Sequence, residues 1–231
     1  MNVETALVFG TLSSSIIDKI LSCLIIAVFY RKKNYTNSII GYYTIIKNVF
    51  NEKKRYDIIA FFIGIMVNIV FTYTVLIFKI PFLFMDSIGT ILTAVVICPI
   101  AGALVGIFTN IIFSFTIDYL NIHFAIVNAM IGLSAGFISK KYDFNIKTAL
   151  VSGISIGIIS GLISIPISIL LANGVTSGTI DLFMQSLLSS GKSLIISAVI
   201  LTLPSAVLDK LLSCILVSIA VKRICFFKND V

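Results

Sequence analysis

Apolar stretches, each long enough to cross a lipid bilayer, alternate along this chain with short polar segments. A transmembrane helix needs about 20 consecutive apolar residues. The pattern therefore predicts seven transmembrane helices, at residues 5–30, 57–78, 82–98, 100–117, 123–139, 148–172 and 193–221. The predicted fold is all-α, a polytopic helical bundle in a membrane.

The composition agrees with this pattern. Hydrophobic residues make up 58% of the 231 residues and charged residues 12%, which leaves too few polar side chains to cover a water-facing surface. The formal net charge of +7 would also suit nucleic-acid binding. The basic residues fall in short clusters between apolar stretches, however, and form no single stripe, so we predict the lipid bilayer as a partner and no nucleic acid.

The segment between the first two predicted helices determines the orientation. Loops on the cytoplasmic side are enriched in Lys and Arg, and residues 31–56 carry seven of them. Placing this segment inside puts thirteen loop cations in the cytoplasm and two outside. The prediction is a multi-pass protein of the cell membrane with its N-terminus outside and its C-terminus in the cytoplasm. The first apolar stretch begins with an acidic residue and ends at a basic cluster, which is typical of a membrane anchor and not of a cleavable signal peptide.

Small residues recur where helices would need to approach closely. The Cys98-Pro99 step leaves too little chain for a water-filled loop, so it predicts a helical hairpin whose second helix opens at Pro99. Small residues let helices associate closely in lipid. Close backbone contact is therefore also predicted at Gly102, Ala103, Gly106, Gly132, Ala135, Gly136, Gly153, Gly157 and Gly161.

Two distant segments of the sequence read almost alike. Thr11–Cys23 and Thr202–Cys214 share eight of thirteen residues, including an Asp-Lys pair. Either residues 1–30 are the last helix of a second copy of the module, or an added helix has drifted to similarity. The predicted organisation is an extra N-terminal transmembrane helix at 1–35, a basic cytoplasmic linker at 36–56, a six-helix membrane domain at 57–223 and a cytoplasmic tail at 224–231.

Asp209 and Lys210 are charged residues inside the last predicted helix. A charge near the middle of a bilayer costs about 2.5–3.5 kcal/mol, so it normally faces a cavity, a partner or the protein interior. Neighbouring residues on a helix point about 100° apart. We therefore expect each of the two to pair with a group other than its neighbour. The pair is either an interhelical salt link that fixes packing or part of a ligand site.

Other polar residues lie at the ends or in the interior of the predicted helices. Asp86 opens the third helix, either as its N-cap or as a ligand contact at the outer entrance. Asn68, Asn110 and Asn128 are predicted to be buried amides that bond to neighbouring helices or touch a ligand. His123, the sole histidine, is expected to cap a helix or to lie at the membrane interface.

Motifs of enzymatic chemistry are missing from the sequence. It contains no HExxH, GxSxG or phosphate-binding loop, and its four cysteines lack metal-binding spacing. We predict that the chain is not an enzyme and holds no cofactor or metal. If it takes part in ATP-driven transport, the ATPase must be on another chain.

Residues Pro81–Asn110 resemble the substrate-specific (S) components of energy-coupling factor (ECF) transporters. In that family an outer Asp begins the second helix, which matches Asp86, and a hairpin rich in Gly, Pro and Ala joins the second and third helices. The matching hairpin is Cys98-Pro-Ile-Ala-Gly102, with Cys98 where Gly is usual. The likeness covers roughly residues 57–223 and implies a six-helix S-component core, to which the N-terminal helix is an addition.

The resemblance implies a substrate-binding subunit of an ECF-type ABC importer for a vitamin or related micronutrient. It implies a pocket open to the outside, capped by the first outer loop and lined by later helices. The candidate substrate contacts are Asp86, Asn110, Asn128, Asp209 and Lys210. The outer loop 173–192, with Thr176, Ser177, Thr179, Asp181 and Gln185, is the candidate for a further part of the lid.

The resemblance also implies partners on other chains. An S component docks onto a transmembrane coupling subunit, which carries a pair of ATPases, through small residues of its first helix. The candidate docking residues are Ala60 and Gly64, since the spacing resembles the family's Ala-x-x-x-Ala.

The alternative is a membrane sensory or interaction module without transport activity. The extra N-terminal helix and the basic linker favour it, since an S component needs neither. A sensor is expected to carry a cytoplasmic output, yet only about eight residues follow the last helix. This favours the importer.

Overall fold

The structure, a computed structural model, describes residues 41–172, 174 and 180–226, with side chains described from residue 57 to 223 within these ranges. The predicted N-terminal helix, the first copy of the repeat and three lid residues, Thr176, Ser177 and Thr179, lie outside the described residues. The chain divides into two compact units, residues 1–63 with 224–231, and Gly64–Arg223. The cavity and the polar network described below lie in the second unit.

The described residues form helices joined by short segments, and no strand. The helices are α1 (Gly41–Phe78), α2 (Ile88–Val96), α3 (Pro99–Thr116), a 3₁₀ helix (Tyr119–Phe124), α4 (Ala125–Lys141), α5 (Ile146–Ala172), α6 (Asp181–Ser189) and α7 (Leu194–Phe226). The predicted linker is thus helical from Gly41 onward. The short helix α6 falls in the predicted outer loop.

Within the part of the chain that the structure describes, five stretches are long and apolar enough to cross a membrane: Asp57–Phe78, Pro99–Thr116, Tyr119–Lys141, Ile146–Leu171 and Leu194–Arg223. Large apolar side chains such as Ile77, Phe115 and Leu170 stay exposed on their surfaces, as lipid contact requires. The all-α prediction is confirmed for the described residues, and the five helices suggest a protein that crosses a membrane several times.

The third predicted span, residues 82–98, differs from the prediction. Its helix α2 has nine residues, on the order of 14 Å, about half of the bilayer core. Residues Ile88 to Ala94 are all buried. The apolar run reflects burial inside protein, which a hydropathy pattern does not distinguish from contact with lipid. Residues 79–87 before α2 are not helical, and Leu83, Phe84 and Asp86 of this segment line the cavity described below.

The predicted small-residue contacts are present between adjacent helices. A Cβ atom at Gly106 would lie 2.7 Å from the backbone oxygen of Asn128, which places α3 against α4. A Cβ atom at Gly153 or Gly157 would lie 2.6 or 2.5 Å from the Cα atom of Leu211 or Val207. The glycine face of α5 therefore packs directly on the backbone of α7.

Candidate functional site

A cavity of about 140 Å³ lies inside the second unit. Its walls come from α1, α3, α4, α5 and α7, and one end is bounded by Leu83, Asn121 and Ile180. Asn121 and Ile180 belong to segments that were predicted to lie on the outer side of the membrane, and Leu83 lies at the predicted outer start of the span 82–98. The cavity therefore lies toward the end of the bundle where a pocket open to the outside was expected.

The segment 79–87 that borders the cavity has an unusual backbone. Lys79, Phe82 and Met85 have φ angles of 50°, 63° and 50°, a left-handed conformation that costs residues other than glycine about 1–3 kcal/mol each. Contacts with the rest of the protein must therefore stabilise these three residues in the left-handed conformation. The Phe82 ring packs against the ring of Phe183 in α6, with 4.9 Å between the ring centroids. Strained backbone of this kind clusters at binding sites.

Asp209 in α7 secures this segment from the opposite side. The N–H groups of Phe84 and Met85 donate to its Oδ1 atom at 2.8 and 2.7 Å. The Asp209 side chain has no exposed surface. Two successive amides directed at one carboxylate oxygen form a small anion-binding concavity. Asp209 therefore accepts hydrogen bonds from two backbone N–H groups that lie outside any helix.

Lys210 joins two carboxylates into one network. Its Nζ atom lies 2.6 Å from Asp209 Oδ2 and 2.8 Å from Asp86 Oδ1. The expectation that Asp209 and Lys210 would not pair with each other was wrong. The long, flexible lysine stem curls back to reach its neighbour despite the angle between them. The expectation of further partners is confirmed, since Asp209 binds two backbone amides and Lys210 binds Asp86.

Asp86 is not the N-cap of α2. Ser87 precedes the helix and makes no capping bond with its side chain, so that alternative was wrong. The Asp86 side chain, 25% exposed, instead lines the cavity. Its Oδ1 accepts from Lys210 and its Oδ2 accepts from Asn128 Nδ2 at 2.9 Å. The structure thereby brings four predicted site residues, Asp86, Asn128, Asp209 and Lys210, into one chain of contacts.

The three buried amides have different roles. Asn68 donates to Thr90 and Thr109 at 2.9 and 3.1 Å and accepts from the Gly89 N–H at 2.7 Å, so it joins α1, α2 and α3. Asn110 lines the cavity and donates to the Gly106 carbonyl at 3.0 Å. Asn128 Oδ1 is buried and has no hydrogen-bond partner among the described residues.

The candidate docking residues are not on an exposed face. Ala60 and Gly64 are both buried. A Cβ atom at Gly64 would lie 3.2 Å from the Gly89 oxygen and 3.3 Å from Val105. Gly64 therefore permits packing inside the bundle, which argues against its contributing to an exposed docking surface.

The remaining predicted residues lie at the periphery. In the candidate lid, Asp181 is buried and Gln185 is exposed, while their neighbour Ile180 lines the cavity. His123 lies in the 3₁₀ helix, where its Nδ1 is 3.3 Å from the Leu120 carbonyl oxygen. The described residues include no group of three His, Cys, Asp or Glu side chains placed to hold a metal ion.

Several lining residues were not predicted. Thr72 of α1 lines the cavity, and its hydroxyl oxygen is buried without a partner in the described part of the chain. Ser160, Ser164 and Ser168 of α5 also line it. Their spacing of four residues puts them on one helix face and would have identified them. The sequence carries no comparable signal for the amides of Phe84 and Met85.

Comparison with protein-family models, curated proteins and solved structures finds no match for this chain.

Proposed function

We propose that this chain is the substrate-binding membrane subunit of an ECF-type importer for a vitamin-like small molecule. The observation that carries the proposal is the cavity, whose wall holds an ion-pair network. Ligand pockets are typically apolar with a few placed polar groups. This cavity combines phenylalanine and aliphatic walls with the carboxylate of Asp86 and the amide of Asn110.

A purely structural salt link would account less well for the network. A buried ion pair contributes little net stability compared with apolar residues of similar size, and charges inside membrane helices usually mark functional sites. Asp86 is also partly exposed, at 25%, and lines the cavity, whereas Asp209 is fully buried. The network therefore divides into an anchoring part, Asp209, and a part accessible to a ligand, Asp86.

The interrupted segment before α2 supports a transport role. Membrane transporters commonly build their substrate sites from discontinuous helices, whose free backbone groups and strained turns face the binding site. Here the non-helical residues 79–87 join α1 to α2, and Leu83, Phe84 and Asp86 of this segment line the cavity. The same residues belong to the stretch that resembles S components.

Co-purification tests the assignment to an importer. We expect the chain, expressed with the coupling subunit and the ATPase pair of its own cell, to recover both in detergent. The matched control omits the coupling subunit. The ATPases should then no longer be recovered, because the chain is proposed to contact them only through that subunit.

Failure to recover the coupling subunit would overturn the importer proposal. If the folded chain still bound small molecules, it would instead fit a membrane sensory module. Recovery of the ATPases without the coupling subunit would also contradict the proposed arrangement.

The orientation yields a separate prediction. A reporter enzyme that is active only in the cytoplasm, fused after Val231, should be active, because the positive-inside rule places the basic end of α7 inside. The paired fusion uses a reporter active only outside and should be silent. The opposite result would overturn the predicted topology while leaving the cavity unaffected.

A further inference from the structure

The charges around the cavity do not balance. Among the described residues that line it, the charged ones are Asp86, Asp209 and Lys210, two negative and one positive, a formal net charge of −1. Asp209 has three partners, two backbone amides and Lys210, whereas Asp86 has two, Lys210 and Asn128. Asp86 is therefore the less compensated carboxylate, and it is also the most exposed of the three side chains.

An uncompensated carboxylate is costly where most of its surface is removed from water, as it is for Asp86. Removing an ion from water carries a large free-energy cost unless it is paired and hydrogen-bonded. Each carboxylate oxygen can accept two hydrogen bonds, and each Asp86 oxygen has one partner, Lys210 or Asn128. Asp86 thus retains both negative charge and free acceptor capacity toward the cavity.

An unpartnered polar atom is a second and independent sign of a ligand. The Thr72 side chain lines the cavity, its residue is 8% exposed, and its hydroxyl oxygen has no partner among the described residues. Buried polar atoms normally have partners. The Thr72 hydroxyl can accept a hydrogen bond and can donate one, so with the Asp86 carboxylate it gives the cavity wall two acceptors for a ligand's N–H groups.

The rest of the wall indicates an organic molecule and not a bare metal ion. Phe84, Phe113, Phe124, Val127 and Ile131 contribute apolar surface, whereas a hard cation requires a shell of oxygen ligands. Aromatic faces also attract organic cations. The volume of about 140 Å³ is close to that of an engineered cavity of about 150 Å³ that holds benzene, so a body of about one ring fits.

We propose that the cavity binds a small organic cation with N–H donors, and that Asp86 is its counter-ion. This names the substrate class of the same site and rests on the proposed ligand-binding function. Lys210 and Asn128 then position the Asp86 carboxylate, and Thr72 offers an oxygen to a second donor of the ligand.

Three probes of equal ring size test the proposal on the purified full-length chain in detergent at neutral pH. Benzylammonium is cationic, benzyl alcohol is neutral and benzoate is anionic. We expect benzylammonium to bind about tenfold or more tightly than benzyl alcohol, because hydrogen bonds to a charged group are the stronger ones, and benzoate to bind least. Binding is measured by equilibrium dialysis, which needs no protein chromophore.

Two variants test whether the preference for the cationic probe depends on Asp86. Asp86→Asn keeps the shape of the side chain and removes its charge, so it should reduce the preference for benzylammonium over benzyl alcohol at least about fivefold. Asp143→Asn makes the same change at an exposed position and should leave the preference unchanged. If Asp86→Asn does not fold, the order of the three probes on the unmodified chain still decides.

Each contrary result has a distinct meaning. Preference for benzoate or benzyl alcohol, or binding of none of the three, overturns the cation proposal. An unchanged preference in Asp86→Asn overturns the role of Asp86. None of these results affects co-purification with the coupling subunit, which tests the importer proposal separately.

Discussion

Replacing Asp209 with alanine should lower the free energy of unfolding by about 3–5 kcal/mol, the range seen when one partner of a buried ion pair is removed. The N–H groups of Phe84 and Met85 would lose their acceptor, and Lys210 would keep only Asp86. Segment 79–87, with its left-handed residues, would then lack its main support. Denaturant unfolding in detergent micelles measures the loss.

The matched control is Leu208→Ala, one residue earlier on α7 and 48% exposed on the apolar surface. It should change stability by about 0.5 kcal/mol or less. Asp209→Asn keeps an oxygen for the two amides, so its loss of stability should lie between those of Leu208→Ala and Asp209→Ala. Equal effects of Asp209→Ala and Leu208→Ala would mean that the carboxylate does not hold the segment.

Gly89→Ala should be the second strongly destabilising change. The new Cβ atom would overlap the Gly64 carbonyl and would lie 3.0 Å from Asn68 Oδ1. A backbone group cannot move aside as a side chain can, so α1 and α2 would have to separate. Overpacking of this kind costs about 1–3 kcal/mol or more, and the same unfolding assay reports it.

Gly161→Ala provides the comparison, since it makes the identical change in α5. Its closest neighbour would be Cδ1 of Leu203 at 2.9 Å, the end of a flexible side chain. Helix propensity favours alanine by about 1 kcal/mol in a helix interior, which applies to Gly161 and less to Gly89 in the first turn of α2, so the two variants differ in packing and by at most that propensity term. Equal stability of the two variants would contradict the close approach of α1 and α2.

Much of the bundle follows from periodicity and spacing. The apolar runs at 57–78, 100–117, 123–139, 148–172 and 193–221 predicted the five membrane-length stretches of the described residues, and the spacing of Gly153, Gly157 and Gly161 predicted the α5 face that packs on α7. The nine-residue helices α2 and α6 were not predicted as such. In α2, burial among other helices produces the same apolar composition as lipid contact. In α6, the polar residues resemble those of a loop.

The members of the site were predicted better than its geometry. Asp86, Asp209 and Lys210 drew attention because a charge within an apolar segment requires a partner. Which partner each one has depends on the path of segment 79–87, and this path is set by contacts with residues more than a hundred positions away. A sequence pattern read locally does not contain that information, and it misassigned the Asp209–Lys210 pair.

The hydrogen bond from Phe84 to Asp209 joins residues 125 positions apart, and this separation has a consequence for biosynthesis. Chains emerge and fold from the N-terminus first, so α1, α2 and α3 enter the membrane before α7 is made. Until then segment 79–87 lacks its carboxylate acceptor, and Asp86 lacks Lys210. The cavity is therefore completed only once α7 has been inserted, and a nascent chain that stops before α7 lacks both the α7 part of the wall and the charges of Asp209 and Lys210.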